Sequence, residues 1–125
     1  MQKREGPHKY ILVVDDNPAI LEFLHDLLEL EGYIVVVTAQ GDLLETLHYT
    51  DLPDLILLDV FLSGRDGREL LQTLKSQEGT RQIPVIMFSA HPSAEEAARA
   101  AGADDFLAKP FDVDELLAKI QVSIV

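Results

Sequence analysis

The stretch Asp54 to Gly67, DLILLDVFLSGRDG, constrains the fold more than any other part of the chain. Its run Leu55-Ile56-Leu57-Leu58 is short, wholly apolar and bounded by turn formers. That is the pattern of a strand buried on both faces of a parallel sheet. The run ends on a carboxylate, Asp59. After a loop, Asp66-Gly67-Arg68-Glu69 opens a helix, with Asp66 as its N-cap and Glu69 placed to complete a capping box. Asp59 is therefore expected at the C-terminal end of a central strand, where open α/β sheets put their sites. An acidic residue closing a strand is ordinarily just solvated surface. The remainder of the chain shifts that balance.

The same punctuation recurs on both sides of this stretch. Met1 to Lys9 is polar and reads as a loosely docked lead-in, with the folded domain running from Tyr10 to Val125. Tyr10-Ile11-Leu12-Val13-Val14 is a second buried strand and stops at Asp15-Asp16. Asn17-Pro18 then starts a helix, since Asn suits the N-cap and Pro the first turn. Ile20, Leu21, Leu24, Leu27 and Leu28 follow at helical spacing, and Gly32 is the expected stop. Tyr33 to Thr38, with four β-branched residues in a row, predicts a strand. Gln40 to Tyr49 predicts a helix with Leu43, Leu44 and Leu47 on one face, broken by Asp51-Leu52-Pro53.

Past the Asp59 strand, the third helix runs from Gly67 to Ser76, with Leu70, Leu71 and Leu74 facing inward. Ile83 to Phe88 predicts the fourth strand, its proline near the start, and Ser89-Ala90 follow. Ser93 and Glu96 form a capping box for an alanine-rich fourth helix that ends at Gly102. Ala103 to Ala108 predicts the fifth strand, followed by Lys109-Pro110. Asp112 and Glu115 cap the last helix, whose stripe is Val113, Leu116, Leu117 and Ile120. Strand and helix thus alternate five times with short connections, which predicts a doubly wound parallel α/β sheet. Five strands favour the flavodoxin-like order 2-1-3-4-5. Asp15-Asp16, Asp59, Ser89 and Lys109 then fall on one rim.

Composition excludes several alternatives. The chain has 125 residues, enough for one domain, and 47% are hydrophobic, enough for a core. There is no cysteine, so neither a disulfide framework nor a thiolate metal site is available. The net charge of −12 argues against direct nucleic-acid contact, which requires a basic face. No segment resembles a signal peptide or a membrane span, so a cytoplasmic location without membrane insertion is expected.

Three carboxylates brought together raise one another's proton affinity, and a hard dication relieves that repulsion. Mg²⁺ binds a few carboxylates, retains waters and is completed by phosphate oxygens. Asp59 is then a candidate nucleophile toward a phosphoryl group. Phosphoryl transfer also needs positive charge and donors around the transferred oxygens, which Lys109 and Ser89 offer. An FMN protein of this fold would need a phosphate-cradling loop after the first strand, where this chain carries Asp15-Asp16. A phosphohydrolase with an aspartate nucleophile would need a carboxylate two residues later, where this chain carries Phe61.

With the acidic pair Asp15-Asp16, the stretch Asp59 to Gly67, Ser89-Ala90 and Lys109-Pro110 in this order, the chain resembles the receiver domains of bacterial two-component response regulators. The resemblance runs from Tyr10 to Ile124. It implies that Asp59 accepts a phosphoryl group from a sensor histidine kinase or a phosphotransfer protein. It implies Mg²⁺ held by Asp16 directly, by Asp15 close by through water, by Asp59 and by the backbone carbonyl of Phe61. Lys109 would pair with the phosphoryl group, Ser89 would swing to bond it, and Phe106 would be the aromatic switch. The Lys109-Pro110 peptide bond would be cis, an isomer open to proline.

The implied role is a signalling switch for a two-component system or phosphorelay, not an enzyme, although its residues assist transfer to Asp59 and dephosphorylation there. The signal would leave through the fourth helix, fifth strand and fifth helix, a face that also allows a homodimer. Alanines anchor the fourth helix weakly, at roughly 25 cal/mol per Å² of buried apolar area, so it is expected to shift most easily. The competing reading is a receiver-like interaction module that works without phosphorylation. The chain departs from the family in having Ser63 where proline is usual, Phe106 without a hydroxyl, and Ser89 for threonine. His8, His25, His48 and His91 do not cluster in sequence; His25 and His48 fall on helix surfaces, and His91 is placed to line the pocket mouth.

Overall fold

Runs that are apolar at every position become the centre of the sheet. In a computed structural model describing residues 9–46, 52–62 and 64–124, five parallel strands form one sheet: β1 (Tyr10–Val14), β2 (Ile34–Thr38), β3 (Leu55–Asp59), β4 (Val85–Ser89) and β5 (Asp105–Ala108). Their order is β2-β1-β3-β4-β5, as the flavodoxin-like expectation requires. β3 and β4 are buried along their whole length, whereas the edge strand β2 buries only Val35 and leaves its other residues exposed or half-buried. A two-residue antiparallel ladder joins Phe61–Leu62 to Arg65–Asp66 beyond β3.

Alternation along the strands divides the core in two. Ile11, Val13, Leu57, Ile86 and Leu107 face helices α1 (Pro18–Leu30) and α4 (Val113–Ile124). Leu12, Leu58, Met87 and Phe106 face a 3₁₀ helix (Gly41–Thr46), α2 (Gly67–Ser76) and α3 (Glu95–Ala100). α1 buries Leu21, Leu24 and Leu28, α2 buries Leu70, Leu71 and Leu74, and α4 buries Leu116 and Ile120. Val113, expected in the stripe of α4, opens the helix and stays exposed. Among the described residues no helix is long and apolar enough to cross a membrane.

Caps form where short polar side chains meet free amides. Asn17 Oδ1 accepts from the amides of Ala19 and Ile20 at 2.9 and 3.4 Å. Asp66 Oδ1 accepts from the amide of Arg68 at 2.9 Å, and Asp112 Oδ1 from Asp114 and Glu115 at 2.7 and 3.4 Å. At Gly32 a φ of 96° closes α1 in the left-handed region.

Three boundaries differ from expectation. The Ser93/Glu96 capping box does not form: Pro92–Ala94 is a 3₁₀ turn closed by backbone bonds from Ala94 to His91 and from Glu95 to Pro92. That turn buries Ala94, and α3 starts only at Glu95 with no side-chain cap. β5 starts at Asp105 rather than Ala103 because the Asp104 side chain takes a ladder position, its Oδ2 accepting from the amide of Val85 at 2.8 Å. The predicted second helix is a 3₁₀ helix over Gly41–Thr46 that buries Leu44. Its continuation through Leu47, His48 and Tyr49 lies outside the described residues, as do His8, Ser63, Val125 and all of the lead-in except Lys9.

Candidate functional site

The register of the sheet builds the site. Val14 pairs with Leu58, so the residues that follow them, Asp15 and Asp59, are neighbours at the rim. Asp59 pairs with Phe88, and Ser89 with Ala108, so Ser89 and Lys109 extend the same rim across β4 and β5. Strand ends far apart in sequence are thus stacked without any local signal linking them.

Asp15, Asp16 and Asp59 each offer a carboxylate oxygen, and these oxygens lie within 4.8 Å of one another. Asp15 is fully buried and Asp59 is 6% exposed, while Asp16 is the most open of the three. Lys109 Nζ reaches into the cluster, donating to Asp15 Oδ2 at 2.8 Å and to Asp59 Oδ2 at 3.3 Å. The second oxygen of Asp15 accepts from the amide of Asn17 at 2.8 Å, so the residue that caps α1 also orients the buried carboxylate. The second oxygen of Asp59 accepts from the amide of Phe61 at 3.2 Å. Burial, and then the neighbouring Asp15 charge, push the Asp59 carboxyl above its ordinary range, against the opposing pull of Lys109 and of the Phe61 amide. Hard oxygen donors at this density, with a single lysine among them, fit a small dication such as Mg²⁺.

Ser89 is buried, and its Oγ accepts the amide of His91 at 3.0 Å. His91 is exposed and meets the Phe61 ring edge-on at 5.6 Å. The guanidinium of Arg68 covers the same ring at 5.6 Å, held by a fork onto both oxygens of Asp66 at 3.0 and 2.8 Å. Phe106 lies inside the core, 5% exposed, in the cluster that contains Met87, Ala94 and Ala98. The Lys109-Pro110 bond is cis. His25 is not part of the site; it sits on α1 beside Asp26 and Glu29.

Two supporting residues carry no signal strong enough to be read from the sequence. Gly67 opens α2 so close to β3 that an added Cβ would run into the Asp59 carbonyl oxygen. Its amide donates to Val60 O at 2.7 Å, so strand end and helix start are locked together. Phe88 reads as plain core, yet its ring lies under the Lys109 ammonium. The Asp66-Gly67 pair hints at the first, while nothing local hints at the second.

Comparison with known proteins agrees with this geometry. The family model described as the response regulator receiver domain matches residues 11–121. The DNA-binding dual master transcriptional regulator RpaA of Synechocystis is 40% identical over 113 residues, covering 89% of this chain and 47% of RpaA. The chain spans about half the length of the curated relatives it matches. A response regulator from Chloroflexus aurantiacus superposes with a TM-score of 0.88 at 33% identity, covering 94% of this chain and 98% of that one. TrrA of Thermotoga maritima, solved in complex with Mg²⁺ and BeF, gives a TM-score of 0.81 at 29% identity, covering 92% and 98% of the two chains.

Proposed function

The chain belongs to the response regulator receiver domain family, and from that premise we propose that it is a phosphoacceptor switch in which Asp59 takes a phosphoryl group from a phosphohistidine. The observation that carries the proposal is Lys109 Nζ set between the buried carboxylates of Asp15 and Asp59. A lysine so placed balances only part of the charge, which leaves a site matched to a dication and a phosphoryl group together.

An Asp59 carboxylate oxygen attacks phosphorus as the phosphorus–nitrogen bond of the donor breaks and the imidazole leaves with the electron pair. Lys109 turns from Asp59 toward the transferred oxygens. The Ser89 Oγ accepts from His91, so its own hydrogen is left to donate to a phosphoryl oxygen. Asp16, Asp15, Asp59 and the Phe61 carbonyl would hold Mg²⁺, which when bound neutralises charge developing on the phosphoryl oxygens. Asn17 keeps Asp15 oriented, and the backbone lock at Gly67 keeps Asp59 in place. A water attacking the same phosphorus, as the phosphorus–oxygen bond to Asp59 breaks, frees the carboxylate, releases inorganic phosphate and returns the switch to its resting state.

Phosphorylation would bias a two-state equilibrium. Ser89 and Phe106 would rearrange, and the face made by α3, β5 and α4 would change its affinity for a partner or a second copy. Within that face α3 is the element without large buried side chains, since it buries only Ala98 within its span. The partner proposed is a cytoplasmic histidine kinase or phosphotransfer protein. With a net charge of −12, this segment itself is not proposed to touch DNA; the DNA binding in the name of RpaA belongs to RpaA.

Incubation with acetyl phosphate tests the proposal. Expected is a gain of one phosphoryl group that needs Mg²⁺ and is lost in Asp59→Asn. No gain under conditions where Mg²⁺ demonstrably binds would favour an interaction module that works without phosphorylation.

A further inference from the structure

Lys109 is held from a third direction that phosphoryl transfer, as derived above, leaves unexplained. Its Nζ lies over the face of the Phe88 ring, 4.9 Å from the centroid. Phe88 is 2% exposed and sits on β4 directly opposite Asp59. Its ring is fixed in turn by Phe111, which meets it edge-on at 6.2 Å and 84°. The loop that carries Lys109 therefore also supplies the clamp for the ring beneath it.

An ammonium has three N–H donors and no acceptor. Two of those of Lys109 point to Asp15 and Asp59. The remaining side of the ammonium meets a negative π face, which attracts a cation without offering a lone pair. An oxygen acceptor there would fix the ammonium by a directional bond and compete with incoming phosphoryl oxygens. A leucine would leave that side of the charge against hydrocarbon with no compensating attraction. The pull of a ring face varies little as the cation tilts above it, so the ammonium can pass from a carboxylate to a phosphoryl oxygen without losing it.

We propose that Phe88 is a positioning residue for phosphoryl transfer at Asp59, its ring face holding the Lys109 ammonium at the rim while letting it pivot between carboxylate and phosphoryl oxygens. The proposal rests on the reading of Asp59 as phosphoacceptor, and Phe88 itself touches neither donor nor phosphoryl group.

The test replaces Phe88 in the full chain by mono-, di- and trifluorophenylalanine, which keep the ring shape and drain its negative face in steps, with Phe88→Leu alongside. Two quantities are read: the rate of labelling by acetyl phosphate with Mg²⁺, and the proton shifts of the Lys109 Cε methylene. The proposal expects those protons upfield in the wild type through the ring current and at ordinary positions in Phe88→Leu. It expects the labelling rate to fall stepwise with fluorination, by roughly threefold to tenfold over the series. A rate unchanged across the fluorinated series, even with a slow Phe88→Leu, reduces the ring to packing and overturns the proposal. Unshifted Cε protons in a wild type that labels normally overturn it too, and leave the phosphoacceptor reading standing. A wild type whose Cε protons are shifted but which takes no phosphoryl group defeats the phosphoacceptor reading and the proposal with it.

Discussion

Replacing Lys109 by methionine removes one charge and keeps most of the stem's volume, so its cost isolates the electrostatics of the rim. In the wild type the lysine side chain is 15% exposed and contacts carboxylates that are 0% and 8% exposed. The variant leaves Asp15 and Asp59 facing each other with oxygens no more than 4.8 Å apart. Their repulsion, about 3–4 kcal/mol at an effective dielectric of 20, is present in the wild type too, and what the variant loses is the Lys109 attraction that offsets it. Breaking a buried pair costs about 3–5 kcal/mol by a separate route. The metal-free variant is therefore expected to lose about 3 kcal/mol at pH 8, or roughly 10 °C in Tm.

The sign of the pH dependence follows from Asp59. Its carboxyl is already raised by burial and by Asp15, and Lys109 is what opposes the rise. A group whose folded pKa exceeds its unfolded value of about 3.9 favours the fold most at low pH and least above the folded pKa. Removing Lys109 carries the folded pKa higher still. The loss should therefore shrink as pH is lowered from 8 toward the raised Asp59 value, because protonation of Asp59 removes the repulsion. Millimolar Mg²⁺ should restore most of the loss at pH 8. Urea denaturation of both proteins at pH 8 and over a series of lower pH values, with and without Mg²⁺, decides the matter. A metal-free loss under about 1 kcal/mol at pH 8, or a loss indifferent to Mg²⁺, refutes the electrostatic account of the rim.

Other positions give independent checks. Gly67→Ala places a methyl group against the Asp59 carbonyl, so it should cost about 1–3 kcal/mol in denaturant titrations and slow labelling of Asp59. Burial raises the Asp105 carboxyl, but the Phe106 amide, Lys119 and Arg99 outweigh it and hold it below the ordinary range. Its contribution is thus complete above about pH 4 and lost as pH falls through the depressed value. Asp105→Asn should cost about 1 kcal/mol at pH 7 and flatten the acid limb of a Tm-versus-pH curve; an unchanged limb would show that the cluster does not matter. Binding of beryllofluoride with Mg²⁺ should change amide exchange in α3, β5 and α4 more than in α2, and a uniform response would argue against that output face.

What was legible in the sequence reflects where the physics is local. Strands buried on both faces need near-continuous apolar runs, so Tyr10–Val14 and the run Leu55 to Leu58 show themselves. Once strands are parallel and short connections make every crossover alike, their C-terminal ends share a rim, and Asp15, Asp59 and Lys109 converge from pattern alone. Asn17 and Asp112 were readable as caps because a cap acts within three residues. The start of α3 was not, since its N-terminus is closed by backbone bonds around Pro92 and burial of Ala94 rather than by Ser93. The start of β5 was hidden for a similar reason: the Asp104 carboxylate takes a ladder amide of β4, a choice made by the neighbouring strand. The ring of Phe88 under Lys109 and the approach of Gly67 to Asp59 depend on packing between distant segments.

The most direct test of the account is to locate the phosphoryl group itself. The chain, labelled by acetyl phosphate with Mg²⁺, is treated with borohydride, which reduces an acyl phosphate to the alcohol, and digested for peptide mass mapping. The account predicts one converted residue, Asp59, with Asp15, Asp16 and all other carboxylates intact. Conversion at another carboxylate, or phosphoryl retained on His91 with Asp59 untouched, would contradict it.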